Sequence, residues 1–332
     1  MVSEAPPTRP LVADPGNIRL AMLGMVPGNG HPFSWSAIIN GRYNREKMAD
    51  CGYPVIPEYL GAQPPQRLGI PGCEVTHVWC DQPHDTPRVA EACHIAHRLD
   101  RPEDAIGRVD AAFVATDLGH EHVRRARPFI EAGVPLFIDK PMADRAQDLA
   151  QFIRWQRQGK AFHSSSGMLY SPPYVALRER LGEVGRPRLI TMTMVKRWPS
   201  YGMHAIAAVY PLLRPNGWRC VRTAVEGDAW IVHASHDDGV EVLMPTIADM
   251  SGGFGRLSIH GTAGSLAVRS DDTFAAFRAQ LASFIEYLRT GLRPFPFDQL
   301  VEQNRLLIAG IESAEQGGRP IEVASIAADE PF

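Results

Sequence analysis

Through its first half the chain repeats one pattern: a short, mostly apolar run, a polar break, then apolar residues at helical spacing. Residues 18–24, 74–80, 109–116 and 136–138 are the runs. Continuous apolar runs bounded by turn residues predict strands buried on both faces, as in a parallel sheet. Helices are expected between them at 33–40, 87–99, 123–132 and 144–158. In the third interval Gly133 closes the helix, and in the fourth Gly159 does, because glycine accepts the left-handed conformation past a last turn. Residues 41–71 break the rhythm. Pro54, Pro57, Pro64 and Pro65 forbid a long helix there, so short helices and turns are expected.

After Ser164-Ser165-Ser166-Gly167 the pattern changes. A helix is expected at 173–181. Residues 188–196 alternate, which predicts a strand with one solvent face. Short strands follow at 220–225, 229–234, 240–245, 255–260 and 265–268, joined by Gly, Asp and Asn turns, so an antiparallel or mixed sheet is expected. Phe274, Phe277, Leu281, Phe284, Ile285 and Leu288 mark one helical face, and Leu300, Asn304, Leu307, Ile308 and Ile311 another. The aromatic stripe reads as packing against a sheet rather than a cofactor box. The predicted fold is α/β: an N-terminal, doubly wound parallel sheet and a C-terminal α+β unit with an antiparallel or mixed sheet. The expected divisions are a Pro-rich arm over 1–16, a first domain over 17–165 and a second over 166–332.

Composition narrows the class. Of 332 residues 45% are apolar and 21% charged, ordinary for a globular protein, and the length suits two domains. A net charge of -3 offers no field for nucleic acid or an anionic membrane. No window approaches the roughly 18 apolar residues of a membrane span. The N-terminus lacks a basic segment followed by an apolar one, so no secretory signal is expected. Five cysteines, an odd number in a long chain, point to reduced thiols and a cytoplasmic setting. The histidines and cysteines between Cys73 and His97 lack the tight spacing of a zinc site, and no metal is expected.

Candidate chemistry gathers where the predicted parallel strands end, since open parallel sheets bind ligands at their carboxyl edge. The first strand runs into Gly24-Met25-Val26-Pro27-Gly28-Asn29-Gly30-His31-Pro32. This loop is Gly-rich, but the second glycine of G-x-G-x-x-G falls at Val26. Gly24, Met25, Val26 and Gly28 remain candidates to cradle an anion through backbone N–H groups; the competing reading is a turn with no phosphate. Asp81 ends the second strand, where an acid holds adenosine ribose hydroxyls and favours NAD over NADP; it also suits a turn. Asp139-Lys140-Pro141 ends the fourth run, placing an ammonium at the sheet's rim; the alternative is a surface turn closed by proline.

Together these residues carry a resemblance. Asp81 after a strand, Ala115-Thr116 followed by His122, and Glu131-Ala132-Gly133 followed after six residues by Lys140-Pro141 are similar to the glucose–fructose oxidoreductase/inositol dehydrogenase (Gfo/Idh/MocA) family, across nearly the whole chain. The resemblance implies a dinucleotide-binding Rossmann domain over 17–165 joined to a substrate and oligomerisation domain over 166–332 with a large, open, mostly antiparallel sheet, and hydride transfer to or from sugars, polyols and related hydroxy compounds with NAD or NADP. It implies cofactor contacts from Thr116, His122, Asp139 and Lys140, and catalysis by Lys140 and His204. It also implies a homodimer or homotetramer through the open sheet. Departures are visible. The loop to His122 is one residue longer, Asp139 stands for the family's Glu, and Leu169 stands for an Arg that often precedes the second domain's first helix. The family's Asp-x-Gly-x-His is Ser200-Tyr201-Gly202-Met203-His204.

Oxidising a secondary alcohol needs a base for the hydroxyl proton and a positive group for the developing alkoxide. His204 suits the first role and Lys140 the second. Arg197 and Trp198, leaving the preceding strand, suit stacking on and hydrogen bonding to a small polar substrate, or packing at the domain seam. His120 and His122 are expected at the surface of a helix start. Because Ser200 carries no charge, two other readings stay open: a binding or regulatory protein that keeps the fold without turnover, and a lyase or isomerase using retained NAD.

Overall fold

The computed structural model describes residues 9–250, 252 and 254–327; Pro6 and Pro7 of the expected arm lie outside them. The elements of the first half are β1 (Ile18–Leu23), α1 (His31–Asn40), α2 (Arg45–Ala49), α3 (Val55–Gly61), β2 (Cys73–Trp79), α4 (Asp85–Cys93), β3 (His97–Arg98), β4 (Ala111–Val114), α5 (Gly119–Glu131), β5 (Leu136–Ile138), α6 (Ala146–Arg157) and β6 (Phe162–His163). Their strands form one sheet in the order β3-β2-β1-β4-β5-β6, all parallel. The order reverses between β1 and β4, so the loops after these strands part there and open a crevice at the carboxyl edge. Both β4 and β5 are buried at every residue, as their unbroken apolar runs require.

The second half contains α7 (Pro172–Glu179), β7 (Pro187–Val195), α8 (Trp198–Val209), β8 (Trp218–Glu226), β9 (Ala229–His236), β10 (Glu241–Ile247), β11 (Arg256–Gly261), β12 (Ser265–Arg269), α9 (Thr273–Thr290), α10 (Phe297–Glu315) and β13 (Ile321–Glu322). Its seven strands run in the order β12-β11-β7-β10-β9-β8-β13, antiparallel except for β7 beside β10. The expected fold class is therefore borne out. Ile190, Met192 and Met194 alternate inward along β7 and meet Ile206, Leu307 and their neighbours from α8 and α10 in one apolar cluster.

One expectation is corrected by local chemistry and another is made specific. The helix expected over 87–99 stops at Cys93, because His94 turns left-handed (φ 53°) and the chain re-enters the sheet as β3. The aromatic stripe of α9 does pack on a sheet, but on the first one. Phe284 meets Phe113 of β4 and Phe137 of β5 edge-on, at 5.2 and 5.4 Å between centroids. Val12, from the latter part of the arm, is buried in that same cluster, and the Leu11 amide donates to Leu288 of α9 (2.8 Å). The five cysteines are unpaired. Among the described residues no helix is long and apolar enough to cross a membrane.

Candidate functional site

Between the carboxyl edge of the first sheet and the start of α8 lies a cavity of about 380 Å³. Its floor is set by strand ends. β5 delivers Lys140 to it, 3% exposed, with Nζ 3.8 Å from Oδ2 of Asp117 beyond β4 and donating to the Ser200 carbonyl at 3.3 Å. From the other side α8 brings His204, whose Nδ1 shares a 2.7 Å hydrogen bond with the Ser166 hydroxyl. So Lys140 and His204 converge on one crevice. Tyr201, one turn before His204, lies between two ammonium groups: Lys140 Nζ at 4.9 Å and Lys196 Nζ at 4.4 Å from its ring centre. Lys196 itself sits at φ 61°, the sharp turn that sends β7 into α8. The residue 41–71 segment supplies the opposite wall through Tyr53, Val55, Ile56 and Tyr59.

Electrostatics separate the two histidines on this wall. Burial first, then the charges of Lys140, His31 and Lys196, depress His204 well below 6.5, so its imidazole is neutral. Ser200 does not compensate, because its hydroxyl turns back to the Arg197 carbonyl at 3.2 Å. His31, at the start of α1, instead has a carboxylate partner: its Nδ1 lies 2.6 Å from Oδ2 of the fully buried Asp139.

The rim of the first sheet runs from this cavity toward β2. Gly24 (φ +90°) has no room for a side chain, since a Cβ would stand 2.7 Å from Thr116 Cγ2. Gly28 (φ +85°) lines the cavity with open space where a Cβ would stand. Gly24 is a packing glycine, buried with its N–H donating to the Trp79 carbonyl at 2.8 Å, whereas Gly28 leaves bare backbone open to a ligand, and with Asp81 at the tip of β2 that opening fits a dinucleotide. The start of α1 contributes less than a fingerprint turn. The His31 amide is taken by Asn29 Oδ1 (3.0 Å), and Pro32 has no N–H. Asp81 is already engaged: Oδ2 accepts from the Met25 amide (3.0 Å), and Oδ1 from Arg125 (2.7 Å), which also pairs with Glu121.

Several sequence-selected residues do other work. His122 is fully buried, not on the surface; it bonds the Thr116 carbonyl (2.8 Å) and the Pro141 carbonyl (2.9 Å), tying the ends of β4 and β5 together. Thr116 is likewise buried, its methyl closing over Gly24, so both residues shape the rim from behind. Met25 and Val26 are buried beneath the loop. Trp198 does not reach the cavity: it is fully buried, and its indole N–H donates to Leu307 of α10 at 3.0 Å. Gly202 and Gly310 leave space for that ring, which explains why it turns inward. Arg197 is exposed outside the cavity lining. Sequence reasoning missed His31, Asn29, Asp117, Arg125, Ser166 and Tyr201. The signal for His31 and Asn29 was available in the strand order, because loops after β1 and β5 flank the end of β4.

The architecture is thus a parallel sheet of the Rossmann type joined to an open mixed sheet, with a lysine and a histidine meeting in the crevice. Residues 52–164 match the model of the Gfo/Idh/MocA family, an oxidoreductase family with an NAD-binding Rossmann fold, which bears out the resemblance seen in the sequence. No curated protein matches the chain. Among solved structures, a putative myo-inositol dehydrogenase from Sinorhizobium meliloti 1021 is similar at 18% identity and a TM-score of 0.69, over 93% of this chain and 100% of that one. The myo-inositol dehydrogenase from Lactobacillus casei in complex with NAD(H) and myo-inositol is similar at 12% identity and a TM-score of 0.70, over 92% and 96%. An oxidoreductase from Agrobacterium radiobacter in complex with NAD+, L-tartaric acid and magnesium is similar at 15% identity and a TM-score of 0.66, over 93% and 99%. These likenesses speak for the fold.

Proposed function

We propose that the chain is a cytoplasmic NAD(P)-dependent dehydrogenase acting on a hydroxyl-bearing carbon of a polyol, sugar or related hydroxy compound. The observation that carries this reading is the convergence of Lys140 and His204 on the cavity beside the nucleotide rim. A nicotinamide dinucleotide held along that rim supplies the hydride acceptor or donor. Gly28 would give its phosphates access to backbone, Asp81 would receive a ribose hydroxyl, and Lys140 would meet the nicotinamide end. Lys140 stabilises negative charge developing on the reacting oxygen, from a nearly dry position where such a charge is strongly felt. His204, neutral, orients the substrate hydroxyl. The cofactor-bound inositol dehydrogenase of the same fold gives the substrate class a concrete starting point.

The outer face of the second sheet presents Ile231, Leu243, Pro245 and Ile247, none of them buried. This supports a homodimer or homotetramer closed through that face, to be measured by light scattering. Ser200 favours a second reading, a family member that binds cofactor without turnover. The deciding experiment is a panel of inositols, sugars and hydroxy acids with NAD and NADP, followed by absorbance of the reduced cofactor, beside melting curves with each cofactor. Reduction of cofactor by one panel compound is expected. A melting temperature raised by NAD with no reduction across the panel would favour the second reading, and no shift with either cofactor would overturn both.

A further inference from the structure

Beside Lys140 and His204, one more built constellation faces the cavity: the His31–Asp139 pair. We propose that His31, held and charge-balanced by Asp139, is the catalytic acid–base of this pocket. The assignment rests on the oxidoreductase reading above and says where its proton goes.

Asp139 is fully buried, and its carboxylate is held from three sides: by the Asn29 amide (3.1 Å), the Lys140 backbone N–H (2.7 Å) and His31. Burial pushes the carboxyl up, but His31 and Lys140 outweigh it and hold the group below its ordinary range, so it is ionised. An ionised carboxylate only accepts hydrogen bonds. Nδ1 of His31 therefore carries a proton, which leaves Nε2 as the ring nitrogen that can exchange one. His31 lines the cavity, and its Nε2 makes no hydrogen bond among the described residues. The ring cannot swing away. It stacks on buried Trp35 (4.2 Å, 14° between planes) and meets the edge of Phe277 (5.2 Å, 82°). If the pair served only to bury Asp139, Asn29 and the Lys140 amide would already do much of that work, and nothing would require a histidine in the cavity lining.

The contrast with His204 decides between the two imidazoles. A base that takes a proton gains a positive charge, which a fixed carboxylate stabilises. His31 has such a carboxylate; His204 has the uncharged Ser166 hydroxyl and the ammonium groups of Lys140 and Lys196 nearby. In the oxidation, the substrate O–H bond breaks and its proton passes to Nε2 of His31. The electron pair of the adjacent C–H bond leaves as hydride to the oxidised nicotinamide, and the carbon–oxygen bond becomes a carbonyl. Asp139 stays ionised beside the imidazolium, and Lys140 stays protonated near the oxygen.

The test uses the panel compound that the wild-type protein turns over. His31→Ala is expected to lower kcat by roughly 10²–10⁴-fold, with NAD still raising the melting temperature and free imidazole restoring part of the rate. Asp139→Asn, which keeps the shape, is expected to lose kcat as well, whereas His204→Gln mainly raises KM. Without turnover, diethyl pyrocarbonate followed by peptide mass mapping is expected to modify His31, and NAD with the panel compound to protect it. Wild-type kcat in His31→Ala, or a lost rate that imidazole fails to restore, overturns this assignment alone. A wild-type protein inactive across the panel overturns the oxidoreductase reading and this assignment with it.

Discussion

At the β2 end of the crevice, Asp81 is bound by Arg125 and the Met25 amide, and Arg125 in turn by Glu121. At the β5 end, Lys140 and His31 also have carboxylate partners, Asp117 and Asp139, yet both line the open cavity. The first arrangement closes its charges among themselves, while the second holds its charges in place and leaves reactive nitrogens facing substrate space. The difference teaches how one rim can separate recognition from chemistry. On the proposed function, the counter-charge on the partly exposed acid would tune which ribose it accepts. A buried ammonium and imidazole need fixed partners so that no reorganisation is required when charge develops.

The largest test of that contrast is Lys140→Met. It removes the ammonium while keeping most of the volume, and kcat is expected to fall by about 10²–10³-fold at saturating NAD. Next comes Gly24→Val, which places a branched side chain at φ +90° and against Thr116. Loss of the NAD-dependent rise in melting temperature is expected, with the circular dichroism spectrum retained. Asp81→Ala probes the closed end. With the acid gone and Arg125 freed, KM for NAD is expected to rise and KM for NADP to fall, each roughly tenfold, a change of about 1.4 kcal/mol.

A smaller effect separates His204 from His31. A base whose folded pKa is depressed makes the unfolded state bind more protons, so stability is intact above 6.5 and is lost as pH falls below it. Wild-type stability is expected to drop by up to about 1.4 kcal/mol per pH unit there, and His204→Gln to flatten the drop, as read from denaturation midpoints at stepped pH. The smallest effect is expected from Arg197→Ala, with kcat and KM within about twofold of wild type, as for most surface substitutions.

Much of this was legible beforehand. Apolar runs placed β1, β2, β4 and β5, and their order put Asp81 and Lys140 on the carboxyl edge before any coordinates. What the chain does not spell out is side-chain direction. Trp198 and His204 are six residues apart on α8, but the first turns to α10 and the second to the cavity. His122 carries polar atoms on a helix start and so reads as exposed; only the meeting of the β4 and β5 ends buries it. His31 was hidden inside a loop judged by glycine spacing, though that same loop ends one strand away from Asp139.

The most direct test is a single-turnover experiment on NAD-loaded wild type and Lys140→Met, mixed with the active panel compound and followed by the appearance of NADH. The account predicts NADH formation in the wild type, slowed about 10²-fold or more in the variant while NAD still raises its melting temperature. Equal rates in the two proteins would place the chemistry somewhere other than the Lys140 cavity.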